Sequence, residues 1–168
     1  MRTLNLLLAL LCVIGAMAIS QTAKKSHVAN GIYAVLSEGP TAVEAGKGQK
    51  SAAVLIYDGR YTDSSQVQNP SFVAVDTTFF VPLIIEGTPD AQKDGRGHTL
   101  LGVSLKKKYA GVLEKFTQVH IGGRVAIVLD GEVITMHKIK SIIKGGKFQL
   151  TRCYDNACEA LQSKLLEK

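Results

Sequence analysis

The stretch RVAIVLDGEVITMHKI, Arg124 to Ile139, constrains this chain more than any other. Two runs of aliphatic and β-branched residues meet at Asp130-Gly131. Such residues favour strands, and Asp-Gly suits a type I′ turn, whose two central residues both need positive φ. A two-residue turn there sets Leu129 opposite Glu132, Val128 opposite Val133, Ile127 opposite Ile134 and Val125 opposite Met136, with His137 across from Arg124. Along VAIVL both alternating faces are apolar. A strand apolar on both faces is covered on both, so this one is expected inside a layered structure, away from a sheet edge. It carries no catalytic group.

The rest of the chain reads around it. Gly31 to Ser37, Ser51 to Tyr61, Phe72 to Ile85 and His98 to Leu105 are strand-like. Pro82 should break the third of these or hold it at an edge, because proline cannot donate to a ladder. The polar, Gly- and Pro-containing segments Ser37 to Lys50, Thr62 to Ser71 and Glu86 to Gly97 read as loops. Leu105, Tyr109, Val112, Leu113 and Phe116 then recur at steps of three and four, one face of a helix, with Ser104 as its N-cap. Lys106 to Lys108 and Lys115 fall on the solvated side. Ile139, Ile142 and Ile143 suggest a short helical or irregular crossing, stopped by Gly145-Gly146. Lys147 to Thr151 is a further short strand. Asn156 with Glu159 opens a last helix in capping-box fashion, with Ala157, Ala160, Leu161 and Leu165 on one face. The expected class is α+β: a small mixed or antiparallel sheet with two main helices, forming a single domain over 31–168.

The N-terminal segment MRTLNLLLALLCVIGAMAIS has the order of a secretory signal peptide. Arg2 supplies the positive end, Leu6 to Ile14 the apolar run, and Ala16-Met17-Ala18 the small residues that a signal peptidase needs. Cleavage is expected after residue 18 or 20, leaving 19–30 as a polar, flexible lead-in. From Leu6 to Ile19 a helix would reach about 21 Å, short of the ~30 Å hydrocarbon core, which disfavours a retained anchor. Cys12 in the apolar run makes a lipoprotein a third option, disfavoured because Leu11 before it is not the small residue a lipobox needs. The expected location is therefore periplasmic or secreted, with membrane contact only through the leader. Loss of the leader removes Cys12 and leaves Cys153 and Cys158. Their even number in an oxidising compartment favours a disulfide, with two free thiols or a metal pair as alternatives.

From Phe116 onward, FTQVHIGGRVAIVLDGEVITMHKIKSIIKGGKFQLT followed by NACEALQSKLLEK resembles the head subdomain of the first periplasmic domain of SecD, a subunit of the bacterial preprotein translocase. The features that carry the resemblance are Phe116-Thr117, Gly122-Gly123, Ala126 to Gly131, Val133-Ile134, Ile139, Gly145-Gly146, Phe148 to Leu150 and Glu159-Ala160-Leu161. It is good over about 98–168 and loose over 31–97, where Gly31 to Ser37 and His98 to Leu105 look like the family's earlier strands. One departure is Arg152-Cys153, where the family usually places a Gly. The base subdomain and transmembrane helices of the translocase have no counterpart in these 168 residues. The resemblance implies a SecD-head-like fold, free-standing here. In the translocase the head engages emerging polypeptide, which implies a polypeptide or envelope-protein partner.

Chemistry-bearing patterns are sparse. Aromatics make up 6% and there is no Trp, so a pocket for flat ring stacking is not expected. The net charge of +6 is carried by scattered lysines, without the basic stripe and interleaved aromatics that nucleic-acid binding calls for. His27, His98, His120 and His137 lack metal-ligand spacing, and no cofactor motif or phosphate loop appears. Ser37, Ser51, Ser64 and Ser65 lack a nucleophile-elbow context, and DAQKDGRG does not fit calcium-loop spacing. No catalytic, cofactor-binding or metal residue is assigned. The reading is an exported, non-catalytic interaction domain that binds a polypeptide or envelope partner through the three long loops or an edge strand after Pro82. The alternative is a secreted enzyme whose site assembles from distant loops.

Overall fold

The computed structural model describes residues 28–61, 71–153 and 157–167. The leader with its cleavage sites, His27, Ser64, Ser65, most of the loop from Thr62 and the Asn156 cap lie outside these residues. Eight strands and three helices follow in the order β1 (Gly31–Gly39), α1 (Ala42–Gly46), β2 (Ala52–Tyr57), β3 (Ser71–Pro82), β4 (Asp90–Lys93), β5 (Thr99–Ser104), α2 (Lys107–Val119), β6 (Arg124–Leu129), β7 (Glu132–Lys138), β8 (Lys147–Cys153) and α3 (Ala157–Leu166). The class is α+β, as the sequence implied. The strands, however, form two antiparallel sheets instead of one: β2-β3-β1-β6-β7 and β4-β5-β8.

The larger sheet curls until its edge strands β2 and β7 come alongside one another. This gives β6 two cores. Val125, Ile127 and Leu129 enter the layer that also holds Leu101, Leu113, Phe116, Leu150 and Leu161, between the sheet, the helices and the smaller sheet. Ala126 and Val128 face the inside of the curl with Tyr33, Leu55, Val73, Val75 and Val133. All five residues of VAIVL are buried, as expected for a strand apolar on both faces.

The hairpin turn has Asp130 at φ 51° and Gly131 at φ 77°, both in the left-handed region. The Asn30 side chain accepts from the Asp130 amide at 2.8 Å, so the start of the described chain is tied to the hairpin tip. The register departs from the expected one after Val128↔Val133. A bulge places Ile127 opposite Thr135, Ala126 opposite Met136 and Val125 opposite His137, so His137 does not face Arg124. The extra residue, Ile134, is buried in the layer with Leu101, Leu113 and Phe116.

Other expectations change as well. Ser104 ends β5 and caps nothing; α2 starts after Lys106, without a side-chain cap. Tyr109, Val112, Leu113 and Phe116 do face the core. β3 ends at Pro82, paired with Gly31, where an added Cβ would meet the Phe80 ring at 2.8 Å and the Val81 carbonyl oxygen at 2.9 Å. The segment after Pro82 is not a free edge. Ile84 O accepts from Lys106 N, Glu86 N donates to Ser104 O, and Ile85 bridges Leu105. Ser37 to Lys50 contains the end of β1 and all of α1, whose Thr41 Oγ1 caps Glu44 N. Glu86 to Gly97 contains β4 and its turn into β5. α3 docks on β5 and β8 through Cys158, Leu161 and Leu165, while Ala160 is exposed.

Candidate functional site

The residues singled out for chemistry stand apart. His98 Nδ1 lies 3.1 Å from Asp94 Oδ2 in the β4–β5 turn. His120 donates through Nδ1 to Phe116 O at 2.9 Å and packs on the Phe116 ring. His137 donates through Nε2 to Leu150 O at 2.8 Å, with Thr135 Oγ1 at 3.2 Å. Ser37 Oγ donates to Ala45 O. Among the described residues no three of the His, Cys, Asp and Glu side chains gather as a metal site would require.

Cys153 and Cys158 are joined, with Cα atoms 5.3 Å apart, inside the range that a disulfide spans without backbone movement. Both are buried, so the bond staples the end of β8 to the start of α3 against the core. The ring it closes is short, and in the chain-entropy model it contributes only about 2 kcal/mol.

The feature with the shape of a binding site is an apolar cleft of about 210 Å³. Its floor is Ile32, Val125 and Ile127; one wall is Leu113, Phe116 and Thr117 of α2; the other is 137–141 and Ile143 with Phe148 and Gln149. Local bonding explains the cleft. After β7 the chain runs back along α2 without forming a helix. Gly122 N donates to Ile139 O and Ile139 N to Gly123 O, both at 2.9 Å. Thr117 Oγ1 then accepts from Ile143 N at 3.0 Å while donating to Leu113 O, and Gly146 O accepts from Leu105 N. Gly145 and Gly146, both at positive φ, turn the chain into β8. The crossing is therefore held at its two ends and once in the middle, and the gap beneath it is the cleft. Small-molecule sites are usually ~300–1,000 Å³; this volume suits one or two side chains. A second, more open groove of about 530 Å³ crosses the smaller sheet beside Thr88, Asp90, Gln92 and Leu100.

The rim is basic. From Val133 to Tyr154 the sequence has Lys138, Lys140, Lys144, Lys147 and Arg152 and no acid. The four lysines are exposed, and none forms an ion pair among the described residues. Arg152 is bound to Asp94. Sequence reasoning assigned these lysines to general solubility and the isoleucines to a crossing. The legible signal was an apolar segment with five cations and no acid.

The strongest electrostatic perturbation lies elsewhere. Burial acts to raise the Asp94 pKa, but hydrogen bonds from His98 Nδ1, Arg96 N and His98 N and the Arg152 charge outweigh it, holding the carboxyl far below its ordinary range. The cluster fastens the β4–β5 turn to β8. Burial pushes the Tyr33 phenol up to about 12, while its hydroxyl donates to Ala29 O at 2.7 Å and its ring stacks on Phe80.

Residues 84–163 match the family model of the SecDF P1 head subdomain. The matched span runs from just before β4 into α3 and includes every element lining the cleft except β1. A solved SecDF chain, described as a membrane component that enhances protein export, is 29% identical with a TM-score of 0.42, over 49% of this chain and 37% of that one. SecDF in its super-membrane-facing form is 20% identical with a TM-score of 0.49, over 80% of this chain and 18% of that one. The chain thus spans well under two thirds of either structure. No curated protein matches it. No helix among the described residues is long and apolar enough to cross a membrane. Residues 84–163, which hold most of the cleft between α2 and the β7–β8 crossing, are similar to the SecDF P1 head subdomain.

Proposed function

We propose that this protein is an exported, non-catalytic envelope protein that holds an extended polypeptide partner in the apolar cleft. The signal-like leader and the Cys153–Cys158 bond support export. The match to a head subdomain of a protein-export component supports a polypeptide as partner. The observation that carries the reading is the cleft itself: an apolar slot of side-chain size, with a lysine rim lacking acidic partners. Apolar side chains of the partner enter the slot, and carboxylates beside them meet Lys138 and Lys140. Opposite charge across a rim acts mainly on association rate and selectivity.

The test places a photo-crosslinking side chain at Ser141 or Gln149, on the cleft wall, and another at Lys93, at the end of the β4–β5 hairpin. Each protein is mixed with a reduced, alkylated secretory protein as an unfolded probe. Crosslinks from positions 141 and 149, absent from 93 and weakened by salt, are expected. Equal labelling from all three positions, or none, overturns the proposal.

A further inference from the structure

Beyond the cleft, the structure carries an exposed apolar feature that binding in a slot does not use. At the C-terminal end of α2 and in the turn after it, Val119 is 63% exposed and Ile121 55%, and Ile142 on the neighbouring crossing is 39% exposed. The three belong to one tip. The turn at Gly122 and Gly123 is hydrogen-bonded to Ile139, and Thr117 is bonded to Ile143, so the end of α2 and the middle of the crossing lie side by side. Exposed large aliphatic side chains gain nothing from water, and no other part of the described chain covers these three.

The charges around the tip are mostly positive. Lys140 and Lys144 flank Ile142 by two residues on either side, Lys138 precedes Ile139, and Lys115 lies one helical turn before Val119; all four are exposed. The nearby acids are engaged or off the tip. Asp76 accepts from the amide and hydroxyl of Thr78 while feeling the charge of His120, Glu38 is paired with Arg124, and Glu114 is half-buried more than a turn back along α2. Projecting aliphatics ringed by unpaired lysines match an anionic bilayer surface: the side chains enter the headgroup–acyl boundary while the lysines meet lipid phosphates. Exposed aliphatics that line no groove and no strand edge fit a deformable surface better than an extended chain, which needs one or the other.

We propose that the Val119–Ile121–Ile142 tip is a membrane-surface docking site for anionic phospholipid, distinct from the leader. It would set the neighbouring cleft close to the bilayer, and it stands whether or not the cleft binds polypeptide. Because the apolar leader could itself bring the full chain to vesicles, the test reads the tip directly. Full-length protein with Cys12→Ser carries one environment-sensitive fluorophore, at Ile121→Cys, Ile142→Cys or, as control, Lys93→Cys. With phosphatidylglycerol-containing vesicles, positions 121 and 142 should shift to the blue and be quenched by lipids spin-labelled near the headgroup, and position 93 should not. The response should be several-fold weaker on pure phosphatidylcholine and in the Lys140→Glu/Lys144→Glu protein. No response at 121 and 142 on anionic vesicles overturns the proposal, as does an equal response on neutral ones. A response to an unfolded polypeptide but not to vesicles also overturns it and makes the tip part of a polypeptide surface.

Discussion

Thr117 and Thr151 are both buried, yet their hydroxyls have opposite fates. Thr117 Oγ1 donates to Leu113 O and accepts from Ile143 N, and so pins the crossing that roofs the cleft. Thr151 Oγ1 is buried with no hydrogen-bond partner among the described residues, beside the irregular register between β5 and β8. A buried hydroxyl left unpaired costs about 1–3 kcal/mol, and valine keeps its shape without the polar atom. Thr151→Val is therefore expected to raise stability by about 1 kcal/mol in chemical denaturation, whereas Thr117→Val should lower it. A loss of stability in Thr151→Val would mean that its hydroxyl is bonded in solution. Sequence could not separate these two threonines, because their partners lie in other elements. It did reach Cys153 and Cys158, since a cysteine pair is visible as a count and a spacing. The departure at Arg152 has a physical reason that appears only in three dimensions: its guanidinium binds the Asp94 carboxylate and ties β8 to the β4–β5 turn.

That turn shows how an element escapes sequence reasoning. β4 is four residues long and exposed throughout, so it has no buried face and hence no period to detect. What holds it is the Asp94 cluster and the ladder to β5. The folded pKa of Asp94 lies below its unfolded value of ~3.9. The stabilisation is therefore complete at neutral pH and is lost as pH falls from about 5 through the unfolded pKa toward the folded one. Asp94→Asn should be less stable than the parent at pH 7 and should lose less of its thermal midpoint between pH 7 and pH 3. Some acid sensitivity will remain. The carboxyl of Asp58 is also held low, by Arg60 against the effect of burial, and that of Asp76 by Thr78. Equal acid-induced losses in parent and variant would remove the cluster from the account. The α2 helix and the central hairpin, by contrast, were legible, because each repeats an apolar pattern at its own period. The hairpin's bulge was not, since both faces of β6 and β7 near the turn are apolar and the pattern permits either register.

At the scale of the whole molecule, the division of the chain seen by sequence likeness differs from the division made by packing. The family match covers 84–163, but β6, the most buried strand, pairs on one side with β1 from outside that span. β1, β2 and β3 supply Tyr33, Leu55, Val73 and Val75, which close over Ala126, Val128 and Val133 inside the curl. They also supply Ile32, Ala34 and Val81 to the other core, joined by Leu83 just after β3. The strands of 31–82 look independent in sequence, and only the long-range pairing of β1 with β6 joins them to the hairpin. A piece comprising 84–168 would keep every element of the matched span and still expose one edge of β6 and the inner faces of β6 and β7. Burying a medium-sized apolar side chain is worth roughly 1.5–3 kcal/mol, and a domain's net stability is only about 5–15 kcal/mol. Losing Tyr33, Leu55, Val73, Val75 and Val81 together should exceed that margin. The 84–168 fragment is therefore expected to be unfolded or associated, with no cooperative thermal transition and no sharp near-ultraviolet dichroism. The 28–168 chain should be monomeric, with a single transition. Adding a separately made 28–83 piece to the fragment should restore part of that signal through β1–β6 pairing. A monomeric 84–168 fragment that melts cooperatively would show that the head-like half is self-sufficient and that β1 to β3 are an addition to a finished core.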